Sequence, residues 1–98
     1  MRIMAIDYGD ARTGVAVSDP TGLLAGYTTV IQSRKPDLVA TEVARLAGEY
    51  GVEELVMGFP RNMDGTEGPR AERYRGFAER LREATGLEPV LWDERRTT

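Results

Sequence analysis

Apolar and polar positions divide the chain into seven stretches. Ile3 to Ile6 is a short apolar run halted by Asp7-Tyr8-Gly9-Asp10, which predicts a buried strand running into a turn. After Arg12-Thr13-Gly14, Val15 to Ser18 predicts a second strand, closed by Asp19-Pro20-Thr21-Gly22. The short connection containing glycine makes these two an antiparallel hairpin. Tyr27 to Gln32, rich in Thr, Val and Ile, predicts a third strand at a sheet edge. Pro36-Asp37 opens a helix in which Val39, Val43, Leu46, Ala47 and Tyr50 share one face, with Gly51 as its stop. Leu55 to Phe59 is unbroken apolar sequence, the mark of a central strand covered on both faces. Pro60 to Gly68 reads as a loop. Pro69 starts a second helix, with a buried stripe of Tyr74, Phe77, Ala78 and Leu81, reaching about Thr85 before Gly86. Pro89 to Trp92 is the last strand.

The order is therefore β-β-β-α-β-α-β, a three-strand antiparallel meander followed by two right-handed crossovers that add parallel strands. That is a mixed α/β sheet. No repeat, linker or low-complexity segment divides the 98 residues, so residues 1–98 are expected to form one domain.

Composition narrows the chemistry sharply. The chain has no cysteine and no histidine. Thiolate zinc sites, cysteine nucleophiles, Ser-His-Asp triads and imidazole metal ligands are thereby excluded. Carboxylates, hydroxyls, arginines, backbone dipoles and bound metal remain. The longest uncharged stretch, Pro20 to Ser33, is too short and too polar to span a bilayer, and the N-terminus lacks the apolar core of a signal peptide. A cytoplasmic protein without a membrane partner is expected. Net charge is −3, so no global basic field announces nucleic acid. Yet Lys35 is the only lysine among 13 basic residues. The arginines either reflect a compositional bias or serve as bidentate phosphate ligands.

Ligands of open α/β sheets bind beyond the carboxyl ends of the parallel strands. Those ends carry Asp7-Tyr8-Gly9-Asp10, then Gly58 to Gly68, then Asp93-Glu94-Arg95. Carboxylates converging there would repel one another unless a cation joined them, and hard oxygen ligands suit Mg²⁺ or Mn²⁺. Two such ions can drive phosphodiester hydrolysis without histidine or cysteine. Structural alternatives stand beside each residue. Asp7 could bond the backbone of its own turn, Asp93-Glu94 could be a solvated strand end, and Asp64-Gly65 is a common turn dipeptide. Arg61, Arg95 and Arg96 are either surface charges or phosphate contacts. Gly9 to Gly14 is not a phosphate loop of the Walker type, because it lacks Lys-Ser/Thr and precedes a strand instead of a helix.

Three motifs taken together resemble the YqgF/RuvX family: Asp7-Tyr8-Gly9 with Gly14-Val15-Ala16-Val17-Ser18-Asp19-Pro20, then Gly58-Phe59-Pro60-Arg61-Asn62-Met63-Asp64-Gly65-Thr66-Glu67, then Asp93-Glu94-Arg95 with Thr97-Thr98. The resemblance covers essentially the whole chain. It implies a ribonuclease H-like fold and a metal-dependent nuclease for the 5′ end of precursor 16S ribosomal RNA, or, in an older description, a Holliday junction resolvase-like DNA endonuclease. RNA is the expected partner ahead of DNA. Asp7 and Glu94 would be the catalytic carboxylates and, with Asp93, the ligands of Mg²⁺ or Mn²⁺. Arg61, Asn62, Asp64, Gly65, Thr66 and Arg95 would bind substrate phosphate. The sequence departs from the family pattern at Asp10-Ala11-Arg12. Family members also continue past Thr98 into a further helix bearing an aspartate, so the resemblance implies either a C-terminally shortened chain whose third carboxylate lies beyond the end, or a third carboxylate supplied by Asp10 or Asp64; the sequence leaves open whether the shortened chain is active.

Two other classes share parts of this pattern. The Asp-x-Gly hairpin looks like that of actin-like ATPases and sugar kinases, which need a second lobe. A non-catalytic RNA- or protein-binding module would keep the fold without the chemistry. The third strand and the bare side of the fifth are candidate edges for a homodimer.

Overall fold

Side chains alternate along the strands between a helix-covered face and an open one. In β1 (Ile3–Asp7) Met4 and Ile6 are buried, whereas Ile3, Ala5 and Asp7 are not. β2 (Arg12–Val17) buries Thr13, Val15 and Val17, and β4 (Glu54–Arg61) buries Leu55, Met57 and Phe59. The computed structural model describes residues 1–19, 27–61 and 68–95, with the backbone alone at positions 60, 61, 69 and 93–95. β3 (Tyr27–Gln32), α1 (Pro36–Tyr50), α2 (Pro69–Thr85) and β5 (Val90–Arg95) complete the element order that the sequence predicts.

The sheet runs β3-β2-β1-β4-β5. β1 and β2 are antiparallel, as are β2 and β3, while β4 lies parallel to both β1 and β5. β1 is thus interior, and β3 is an edge, as expected. Several strand boundaries differ from the sequence reading, three of them by two residues or more. β2 begins at Arg12, which pairs with Gln32. β4 continues through Pro60 and Arg61, and β5 through Asp93, Glu94 and Arg95, in the register Phe59↔Asp93, Pro60↔Glu94, Arg61↔Arg95. Polar strand ends carry no apolar signal, so pairing alone extends them. A proline is tolerated in β4 because the register with β1 stops at Ile6↔Met57, leaving position 60 paired on one side only.

Both helices open on a first-turn proline without a side-chain cap, and each ends on a glycine in the left-handed region: Gly51 at φ 64° and Gly86 at φ 75°. α1 buries Val39, Ala40, Val43, Leu46 and Ala47, and α2 buries Ala71, Tyr74, Phe77 and Leu81. The helices pack on each other and on the same side of the sheet, α1 over β2 and α2 over β4. Full burial of a Leu, Phe or Met side chain there contributes roughly 2 kcal/mol. The expectation that β4 is covered on both faces is corrected: Val56 and Gly58 are only half-buried on the face away from the helices, and Trp92 beside them is 65% exposed. An apolar run signals burial of its alternate residues but cannot say whether a second layer exists. Among the described residues, no helix is long and apolar enough to cross a membrane.

Candidate active site

β1 places two consecutive side chains on opposite faces at its carboxyl end. Tyr8 continues the buried series Met4, Ile6, and Asp7 continues the exposed series Ile3, Ala5. Tyr8 stacks on Phe77 of α2, with ring centres 3.9 Å apart and planes 9° apart, and meets the Tyr74 ring edge-on at 5.3 Å. With Tyr8 anchored inward, Asp7 faces the open side. Gly9 permits the turn that follows, since a Cβ there would lie 2.3 Å from the Arg12 carbonyl oxygen. Asp10 is ion-paired with Arg73 of α2 at 2.6 Å, both side chains being more than half exposed.

The Asp7 carboxylate makes no hydrogen bond or ion pair with any described residue, so the turn-capping alternative is not realised. It lines a shallow concavity of about 410 Å³ on the open face, together with Gly14, Ala16, Val56, Gly58 and Trp92. Gly14 is its cross-strand partner, leaving no side chain between Asp7 and solvent there.

The other expected site residues are placed by backbone register. Asp7 lies one residue past the Ile6↔Met57 pair, level with Gly58 and hence with Trp92 on β5. Glu94 sits two residues further along β5, opposite Pro60, with the same strand parity as the exposed Val90 and Trp92; Asp93 has the opposite parity. Standard strand spacing and rise put the Cα atoms of Asp7 and Glu94 roughly 12 Å apart. Arg61 and Arg95 are register partners at the same sheet end. Asn62, Asp64, Gly65 and Thr66 lie outside the described residues, in the connection between β4 and α2.

The donor chemistry fits a hard cation: the chain offers oxygen ligands and neither cysteine nor histidine, and Asp7 is an exposed, unengaged carboxylate at the sheet end. Among the described residues no three acidic groups cluster closely enough to hold a metal. The sequence reading missed how the turn is held by α2, through Tyr74, Arg70 and Arg73. Tyr74 was legible only as part of an apolar stripe.

Comparison with known proteins bears on the same residues. The family model described as "RuvX: Holliday junction resolvase" matches residues 1–98. A relative from Pelotomaculum thermopropionicum named "Putative pre-16S rRNA nuclease" is 50% identical over 99 residues, a match spanning 100% of this chain and 64% of that protein, slightly under two thirds of its length. Further relatives of the same name are 40% to 51% identical. Among solved structures, RuvC of T. thermophilus in complex with a Holliday junction substrate superposes with a TM-score of 0.69 at 13% identity, over 95% of this chain and 64% of that one. A ROK hexokinase from Thermus thermophilus superposes at 0.58 and 22% identity, over 95% and 35%. At such identities the likeness is one of fold, the ribonuclease H-like mixed sheet expected from the sequence. With the family model and its relatives covering every element of that sheet, the chain belongs to the RuvX family.

Proposed function

We propose that residues 1–98 form a single ribonuclease H-like domain of a cytoplasmic nuclease that hydrolyses phosphodiester bonds in precursor 16S ribosomal RNA. The observation that carries this reading is the exposed, unengaged carboxylate of Asp7 at the end of β1, with the backbone of Asp93 and Glu94 at the same end of the sheet. The names of the relatives favour RNA over branched DNA as substrate. In this reading Asp7 and Glu94, which share a strand parity, hold Mg²⁺ or Mn²⁺, and Asp93, of the opposite parity, flanks Glu94 along β5. The bound ion supplies Lewis acidity and an activated water. Arg61 and Arg95 neutralise substrate phosphate, while Asn62, Asp64, Gly65 and Thr66 orient it. Binding through one or two carboxylates leaves a hard cation's remaining positions to water and phosphate oxygens.

The test is Asp7→Asn in the full chain, assayed on a structured RNA with a 5′ extension at fixed Mn²⁺. Metal-dependent cleavage drops by at least the roughly hundredfold that even outer-shell changes reach. Unchanged cleavage would remove Asp7 from the chemistry. Preferential cleavage of a four-way DNA junction would redirect the substrate to DNA.

Homodimerisation through the outer edge of β3 is part of the same proposal. Tyr27–Gln32 contains neither charge nor proline, whereas the opposite edge, β5, carries Asp93, Glu94 and Arg95. Charged edges resist pairing and uncharged ones invite it.

A further inference from the structure

The β1–β2 ladder ends at the pair Asp7↔Gly14, so the Tyr8 carbonyl, next along the chain, has run out of sheet. α2 supplies its hydrogen bond. The Tyr74 hydroxyl, in a side chain only 8% exposed, donates to the Tyr8 carbonyl oxygen at 2.6 Å. The same hydroxyl accepts from the Arg70 guanidinium at 3.2 Å, and the Arg70 Cζ stands 5.7 Å from the Tyr74 ring centre. A cationic donor polarises the hydroxyl and strengthens its own donation. Two further contacts fix the same turn to the same helix: the Tyr8–Phe77 stack and the Asp10–Arg73 ion pair.

These contacts divide by what they require. Packing between Tyr8 and Phe77 needs only a ring at position 74, which phenylalanine would supply. The hydroxyl adds one directed bond, and its acceptor is the carbonyl of the Tyr8–Gly9 peptide, one residue past Asp7. A second-sphere bond of this kind orients a ligand without touching the ion.

We infer that Tyr74 is a positioning residue: through the Tyr8 carbonyl it fixes the end of β1 so that the Asp7 carboxylate is held in the open concavity. This rests on the reading of Asp7 as a metal ligand. Arg70, in the first turn of α2, joins the strut to the end of the connection that carries Asn62 to Thr66.

The experiment compares Tyr74→Phe, Arg70→Met and Asp7→Asn in the full chain. It measures Mn²⁺ affinity by calorimetry, kcat and KM on RNA, amide exchange at Gly9 and Asp10, and Tm. Tyr74→Phe weakens Mn²⁺ binding and kcat roughly tenfold, leaves KM unchanged, speeds exchange at Gly9 and Asp10, and lowers Tm by several degrees because the buried Tyr8 carbonyl loses its donor. Arg70→Met gives the same pattern with a smaller loss. Unchanged Mn²⁺ affinity and kcat in Tyr74→Phe, whatever happens to Tm, would reduce the hydroxyl to a structural role and overturn the inference. Asp7→Asn separates the two failures. If it loses the ion while Tyr74→Phe keeps it, only the positioning role fails. If Asp7→Asn still binds Mn²⁺ like the parent, the carboxylate reading fails and the positioning role falls with it.

Discussion

Thr13 and Ser18 are both buried hydroxyl residues on the hairpin, and they differ in one bond. Ser18 Oγ accepts from the Ile3 N–H at 2.8 Å, while the Ser18 N–H donates to the Ile3 carbonyl oxygen at 2.8 Å, closing the far end of the β1–β2 pair. Thr13 is 0% exposed, and its Oγ1 has no partner among the described residues. A buried hydroxyl without a partner forfeits its hydration for nothing. Thr13→Val is therefore expected to stabilise the fold by about 1 kcal/mol, read as a higher urea midpoint at unchanged slope. A lower midpoint would mean that the hydroxyl is satisfied in solution. At this scale the sequence was partly legible. The apolar run Ile3 to Ile6 marked the strand and its polar end, but only the structure divides Met4, Ile6 and Tyr8 on the covered face from Ile3, Ala5 and Asp7 on the other. Thr13 gave no such signal, because a threonine beside a glycine reads as part of a turn until its cross-strand neighbours are known.

At the scale of elements, α1 and α2 show how much of the packing is apolar and how little ionic. Arg80 of α2 donates to Asp37 of α1 at 2.5 Å, but both side chains are largely exposed, so the bridge is worth little. More is carried by the end of α1, where Tyr50 stacks on Tyr27 of β3 with ring centres 4.7 Å apart and its carbonyl oxygen accepts from Arg2 at 3.2 Å. Burial, with a further push from Tyr27, holds the Tyr50 phenol above its ordinary value. The folded state thus retains this proton to higher pH than the unfolded state. The sign follows: stability is intact below about pH 10 and falls as pH rises toward and through the raised value. Tyr50→Phe should flatten that alkaline decline, measured as ΔG of unfolding across pH 9 to 11 (roughly one unit either side of the reference phenol). An identical decline in both proteins would assign it to other groups. Helix ends were legible because proline, aspartate and glycine are local signals. The ends of β4 and β5 were not, because Arg61 and Arg95 become strand residues only by pairing with each other.

For the whole molecule, the sheet has two edges and one open face, and their chemistry differs. The proposed dimer uses β3, whose Val30 is 53% exposed. Val30→Lys places a charge on the pairing edge and is expected to shift the protein to monomer in sedimentation equilibrium, with Tm little changed. A parent protein that is monomeric at high concentration would dismiss the dimer. Thr28→Lys on the same strand offers a second charge at a neighbouring register position, level with Ala16.

Local chemistry in the chain determined the seven elements, their order, the two proline starts and glycine stops, and the exclusion of cysteine and histidine chemistry, because each depends on residue type and spacing alone. Family membership was equally legible, since its motifs are contiguous. Three-dimensional packing decided what no local pattern encodes: that both helices share one face and leave the other open, that the β4 and β5 pairing runs on through residues 60–61 and 93–95, and that α2 returns to clasp the turn after Asp7. Tyr8 and Tyr74 are 66 positions apart in sequence. A bond across that separation exists only once hydrophobic burial of Phe77 and Leu81 has seated α2 on the sheet.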